Sequence, residues 1–187
     1  LWESDPWPGK WGAACADPML AGGSSLLTTA EQHIQCPRIT VGGSKAAMDW
    51  SSRRPASYTG ACVFVNGHVY GVNSSGVLTC MDRRTGAGAR AQSSFGSNGA
   101  LIAADGLQFV QPSAQGDPVV FRADPVGYSE VRRARCFERK PATFTPPALA
   151  NGRLYRRSCA GEAVCLQVGL RSATAAPQAS RPGSTAR

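Results

Sequence analysis

The sequence has no run approaching the roughly 18 apolar residues that a membrane-crossing helix needs, and no apolar stripe at helical spacing lasts three turns. The first lack excludes a helical membrane span, and the second argues against an amphipathic helical domain. The chain also lacks a Cys-x-x-Cys pair, and it has 2 His and only 12 Asp and Glu together. The one His near a Cys is His33, three positions before Cys36; half a zinc motif without its other half reads as a structural or surface feature. His68 follows a turn glycine, is expected to be exposed, and has no visible partner for general-base chemistry. A nucleophile elbow, a phosphate-binding Walker loop and a dinucleotide fingerprint are all missing. Asn73-Ser-Ser75 fits a glycosylation sequon, but its place at a hairpin tip gives it little weight.

Lysine is scarce as well. The net charge of +8 rests on 17 arginines against 3 lysines. They are scattered as pairs, Arg53-Arg54, Arg83-Arg84, Arg132-Arg133 and Arg156-Arg157, without the clustered aromatics of a nucleic-acid surface. The expectation is a solvated basic surface and no nucleic-acid partner, with attraction to acidic surfaces as the lesser reading. Seven cysteines are too few for a disulfide scaffold and odd in number. Cys62, Cys80 and Cys165 lie inside apolar runs and are expected as buried thiols, small hydrophobes in effect. Cys15, Cys36, Cys136 and Cys159 are freer to pair, with no partner assignable.

What is present is a repeat. A seventeen-residue pattern runs from Asn66 to Asp82 and again from Asn151 to Gln167. Each copy has an Asn-Gly turn, then Tyr70 or Tyr155, then Gly76 or Gly161, then Cys80 or Cys165 among apolar residues. Fixed spacing between turn glycines and strand residues is what stacked hairpins require. A third copy carries Asp105-Gly106 in place of Asn-Gly, and a degraded fourth enters its turn at Asp17-Pro-Met-Leu-Ala-Gly22. The turn glycines 22, 67, 106 and 152 are separated by 45, 39 and 46 residues, a period that suits a four-stranded blade. Runs such as Cys62-Val-Phe-Val65, Val119-Val-Phe121 and Val164-Cys-Leu166 read as strands. The expected fold class is all-β, with about four blades.

Along the chain, residues 1–13, with Trp2, Trp7 and Trp11, read as a lead-in packing indoles on the first sheet. Residues 14–170 hold the repeats, and 171–187 read as a disordered tail whose only apolar residue type is alanine. No signal peptide is visible, yet the chain opens on leucine rather than methionine, the pattern expected of a fragment or of a chain whose leader has been removed. The stretch 28–47 lacks strand alternation, so a distorted first blade is expected.

The segments Asn66-Gly-His-Val-Tyr-Gly71 with Gly76-Val-Leu-Thr-Cys-Met-Asp-Arg-Arg-Thr-Gly86, and Pro146–Tyr155 with Gly161–Leu166, resemble bacterial PQQ-like β-propeller proteins, over about residues 3–169. The resemblance implies a β-propeller, here its C-terminal half. It also implies a periplasmic or cell-envelope setting and a non-catalytic binding or scaffold role whose partner is the missing propeller half or another protein. The family's repeat closes with a Thr-Gly turn and a tryptophan that docks neighbouring blades. Thr85-Gly86 is present, but Arg90 stands where the indole is expected, so docking at that junction is expected to be weakened; Trp50 is expected to serve the blade before. An alternative implied by the same family is an oxidoreductase using pyrroloquinoline quinone with calcium. It would need calcium-binding Glu, Asn and Asp, a catalytic Asp and an adjacent Cys-Cys pair, and this chain has no such pair. A degraded remnant without function is the third reading. No catalytic or metal residue is assigned from the sequence, and cofactor-binding residues stay unknown.

Overall fold

In the computed structural model the described residues are 16–26, 36–55, 57, 60–92, 95–96, 99–112, 117–139 and 141–169. The lead-in tryptophans, Cys15, His33 and the tail 171–187 fall outside them. Among the described residues the chain is all-β. The first sheet contains β1 (Met19–Ala21), β2 (Ser24–Leu26), β3 (Cys36–Gly42) and β4 (Lys45–Ser52). The second holds β5 (Val63–Val65), β6 (His68–Val72), β7 (Leu78–Asp82) and β8 (Gly88–Gln92). The third holds β9 (Ala100–Ala104), β10 (Leu107–Gln111), β11 (Val119–Arg122) and β12 (Glu130–Arg133), and the fourth β13 (Ala148–Ala150), β14 (Arg153–Arg157) and β15 (Ala163–Gln167). Each is an antiparallel meander in chain order, the layout of propeller blades.

The same turn opens every blade. Asn66 and Gly67, Asp105 and Gly106, and Asn151 and Gly152 all have positive φ at both central positions, the condition of a type I′ hairpin. In the first blade Gly22 (φ 58°) and Gly23 (φ 78°) take these two places. The degraded copy therefore keeps its turn by using glycine where the others use Asn or Asp. Register then follows: Tyr70 lies opposite Cys80 and Tyr155 opposite Cys165.

The expected distortion of the first blade does not occur where it is described. β3 and β4 are the longest strands and pair from Cys36–Ser52 to Gly42–Lys45. Alternation is weak because β4 buries neither face fully, and at Asp49 it carries an extra residue, the β-bulge seen as a register shift between Arg38 and Ile39. The same shift recurs between Cys80 and Met81 and between Val120 and Phe121. The bulge is thus a property of the repeat.

Two cores form between blades. Met19, Ala21, Cys36, Cys62, Val69 and Met81 pack the first sheet onto the second. Tyr70, Val72, Leu78, Cys80, Phe95, Leu101, Val110, Val119 and Phe121 pack the second onto the third. Each fully buried Val, Leu, Met or Phe among them contributes about 1.5–3 kcal/mol over its exposed state, so these two layers dominate the hydrophobic stabilisation of the described chain.

Candidate functional site

The recurring bulge brings Trp50, Arg90 and Arg132 to one repeat position: they lie opposite Arg38, Cys80 and Val120, each just before the register shift. What each does there differs. Trp50 packs against the first core, and a Cβ on Gly86 would stand 2.8 Å from its ring, so the indole sits flat on the Thr85-Gly86 turn of the next blade. This is the service expected of Trp50. That turn is built by Asp82, whose carboxylate accepts hydrogen bonds from the Thr85 backbone N–H and hydroxyl, both at 2.8 Å. Those bonds hold the Asp82 carboxyl below its ordinary range.

At the next junction the parts are exchanged. The Arg90 guanidinium lies 5.6 Å over the Tyr128 ring, a cation–π contact in which the later blade supplies the aromatic. Tyr128 in turn packs edge-on against Phe95 (5.5 Å) and beside Phe121 (5.6 Å). Its hydroxyl donates to Glu130 at 2.9 Å. Burial first, and that bond second, push the Tyr128 phenol up to about 12. Glu130 also accepts two hydrogen bonds from Arg133, the larger cause of its lowered carboxyl pKa. Lacking an indole, this junction is docked by Arg90 on Tyr128 above an aromatic cluster. Sequence reasoning missed this contact, because Tyr128 occupies no position of the repeated motif.

The third junction carries neither arrangement at this repeat position. Arg132 is exposed. Beside it a cleft of about 280 Å³ separates the third and fourth sheets, lined by Phe109, Val120, Leu154, Leu166 and Val168. The segment after β12 wedges the sheets on another side: Phe137 and Thr143 are buried, and the Thr143 hydroxyl donates to the Pro112 carbonyl at 2.8 Å. Arg156, expected on a solvated surface, is instead buried over the Phe137 ring at 5.2 Å. It points into the junction because its strand neighbours Tyr155 and Arg157 point the other way.

The outer face of the fourth sheet is bare. Tyr70 is 1% exposed, whereas Tyr155 at the same repeat position is 42% exposed. Cys62 and Cys80 are buried thiols as expected, but Cys165 is exposed, which corrects the expectation for that residue. The reason is positional: no further sheet covers this face among the described residues. Where the second sheet presents Val72 and Leu78 to its neighbour, the fourth presents Arg157 and Ala163, and a shallow hollow of about 370 Å³ lies among Tyr155, Arg157 and Cys165.

The remaining candidates resolve into structure. Cys36, grouped with the cysteines free to pair, is wholly buried as a free thiol, and burial, with Cys62 nearby, pushes its pKa up. His68 is half-buried, with Nδ1 3.0 Å from the Asn66 carbonyl oxygen. The Asn73 carboxamide oxygen accepts from the Ser75 and Val77 backbone N–H groups, so the sequon asparagine serves its own turn. Among the described residues no three His, Cys, Asp or Glu side chains are grouped closely enough to hold a metal ion. No helix of the described chain is long and apolar enough to cross a membrane.

Meandering blades, repeated I′ turns and inter-blade cores define a partial β-propeller whose sheets do not close a ring among the described residues. Solved structures agree on the fold. The chain is similar to the computationally designed Ika4 protein (13% identity, TM-score 0.67, covering 86% of this chain and 94% of that one). It is also similar to BamB from Moraxella catarrhalis (18% identity, TM-score 0.62, 81% of this chain) and to the Cps50 (Swd1) β-propeller domain of Myceliophteria thermophila (13% identity, TM-score 0.55, 79% of this chain). The chain spans 44% of BamB and 56% of the Cps50 domain. No family model and no curated protein matches its sequence.

Proposed function

We propose that this chain is a non-catalytic binding and scaffold module, a C-terminal part of a PQQ-like β-propeller protein of the bacterial cell envelope. The observation that carries the proposal is the contrast between two copies of one motif. Tyr70 and Cys80 are buried by a neighbouring blade, while Tyr155 and Cys165, on the same pattern, are open to solvent. A blade face bared in this way is a docking surface for the rest of a ring or for another protein, since soluble proteins seldom leave sheets and their edges uncovered. The PQQ-like family and the envelope setting rest on the sequence resemblance around Asn66–Gly86 and Pro146–Leu166.

Sedimentation of the isolated chain tests the reading. It should associate in a concentration-dependent way, and supplying the remaining blades should replace that association by one defined species. A monodisperse, stable monomer across the accessible concentration range would sink the proposal.

A further inference from the structure

The repeat position held by Trp50, Arg90 and Arg132 is filled differently at the three junctions. At the first, the indole itself lies on the next blade. At the second, a guanidinium lies on a ring that the next blade provides. Arg132 has no ring beneath it and forms no ion pair among the described residues. Beside it stands the cleft of about 280 Å³. A cavity of about 150 Å³ takes up benzene when its walls are apolar, so this cleft has room for a two-ring aromatic. Phe109, Val120, Leu154, Leu166 and Val168 give it apolar walls, and Arg132 is the single charged residue of the lining. A guanidinium at the rim of an apolar slot matches the planar fork of a carboxylate. We infer that the cleft between the third and fourth sheets binds a small aromatic carboxylate. Its ring takes the place that the indole or the phenol takes at the other junctions, and its carboxylate is held by Arg132. The inference does not depend on what covers the outer face of the fourth sheet.

Indole-3-propionate and its neutral amide, titrated into the full chain and followed by heteronuclear NMR, test it. Both should give saturable shifts confined to β10, β11, β14 and β15, and the acid should bind about tenfold tighter, the scale of one charge-assisted contact. Arg132→Gln, an exposed substitution that leaves the core untouched, should erase the difference between acid and amide while ring binding persists. Val120→Trp, which fills the slot, should abolish both. Equal affinity of acid and amide for the unaltered chain would overturn the inference, as would shifts scattered outside the cleft or no saturable binding.

Discussion

Replacing Tyr70 by alanine is expected to lower the unfolding free energy by about 3–5 kcal/mol, the range for removing a fully buried aromatic side chain. The same change at Tyr155 should cost less than about 1 kcal/mol, as for exposed positions. The two tyrosines stand at one place in the repeat, each opposite a cysteine across the strand pair. Tyr70 is 1% exposed in the core between the second and third sheets, and its hydroxyl shares a hydrogen bond with the Cys80 thiol. Burial, the largest cause, drives its phenol well above the ordinary range, which means that the ionised form is excluded from this site. Tyr155 has no such cover. Urea midpoints of the two variants decide the matter; equal losses would mean that the fourth sheet's outer face is packed as tightly as the second's.

Gly76→Ala and Gly161→Ala form a second matched pair. Both glycines have positive φ, 73° and 87°, so alanine at either should cost about 1–2 kcal/mol in backbone strain. At Gly76 a Cβ would also stand 2.5 Å from the Gly96 carbonyl oxygen, and backbone on that side cannot swing away as a flexible side chain would. Overpacking of this kind adds about 1–3 kcal/mol. At Gly161 nothing lies within 4 Å. Thermal unfolding should therefore show Gly76→Ala as severely destabilised and Gly161→Ala as only mildly so. Similar midpoints would contradict the packing described for the turn after β6.

These pairs show how much was legible in the sequence. The Asn-Gly and Asp-Gly turns, the strands after them and the blade period could be read because I′ hairpins demand particular residues at particular spacings. In the first blade the turn glycine is Gly23 and not the expected Gly22, because the two glycines look alike in sequence and only the backbone shows Gly23 in the second position. The strands Cys36–Gly42 and Lys45–Ser52 are poorly legible because β4 buries neither face fully and carries an extra residue at Asp49, so the alternation on which strand reading rests is weak. The exposure of Cys165 is illegible for a different reason. Its apolar neighbours Val164 and Leu166 mark a strand, but whether the alternate face is covered depends on a neighbouring blade, and no local pattern encodes that. The docking of Arg90 on Tyr128 is illegible likewise, since the two residues are 38 positions apart and only the propeller arrangement brings them together.

The claim that one blade face stands open is tested most directly by the two matched cysteines. Cys80 is 1% exposed, and burial raises its thiol pKa, whereas Cys165 is exposed on the fourth sheet. A dilute native chain is pulsed with an alkylating reagent and the modified peptides are quantified by mass spectrometry. Cys165 should react at least roughly a hundredfold faster than Cys80, whose modification must await local opening; comparable rates at the two sites would contradict the open face and, with it, the binding role proposed for this chain.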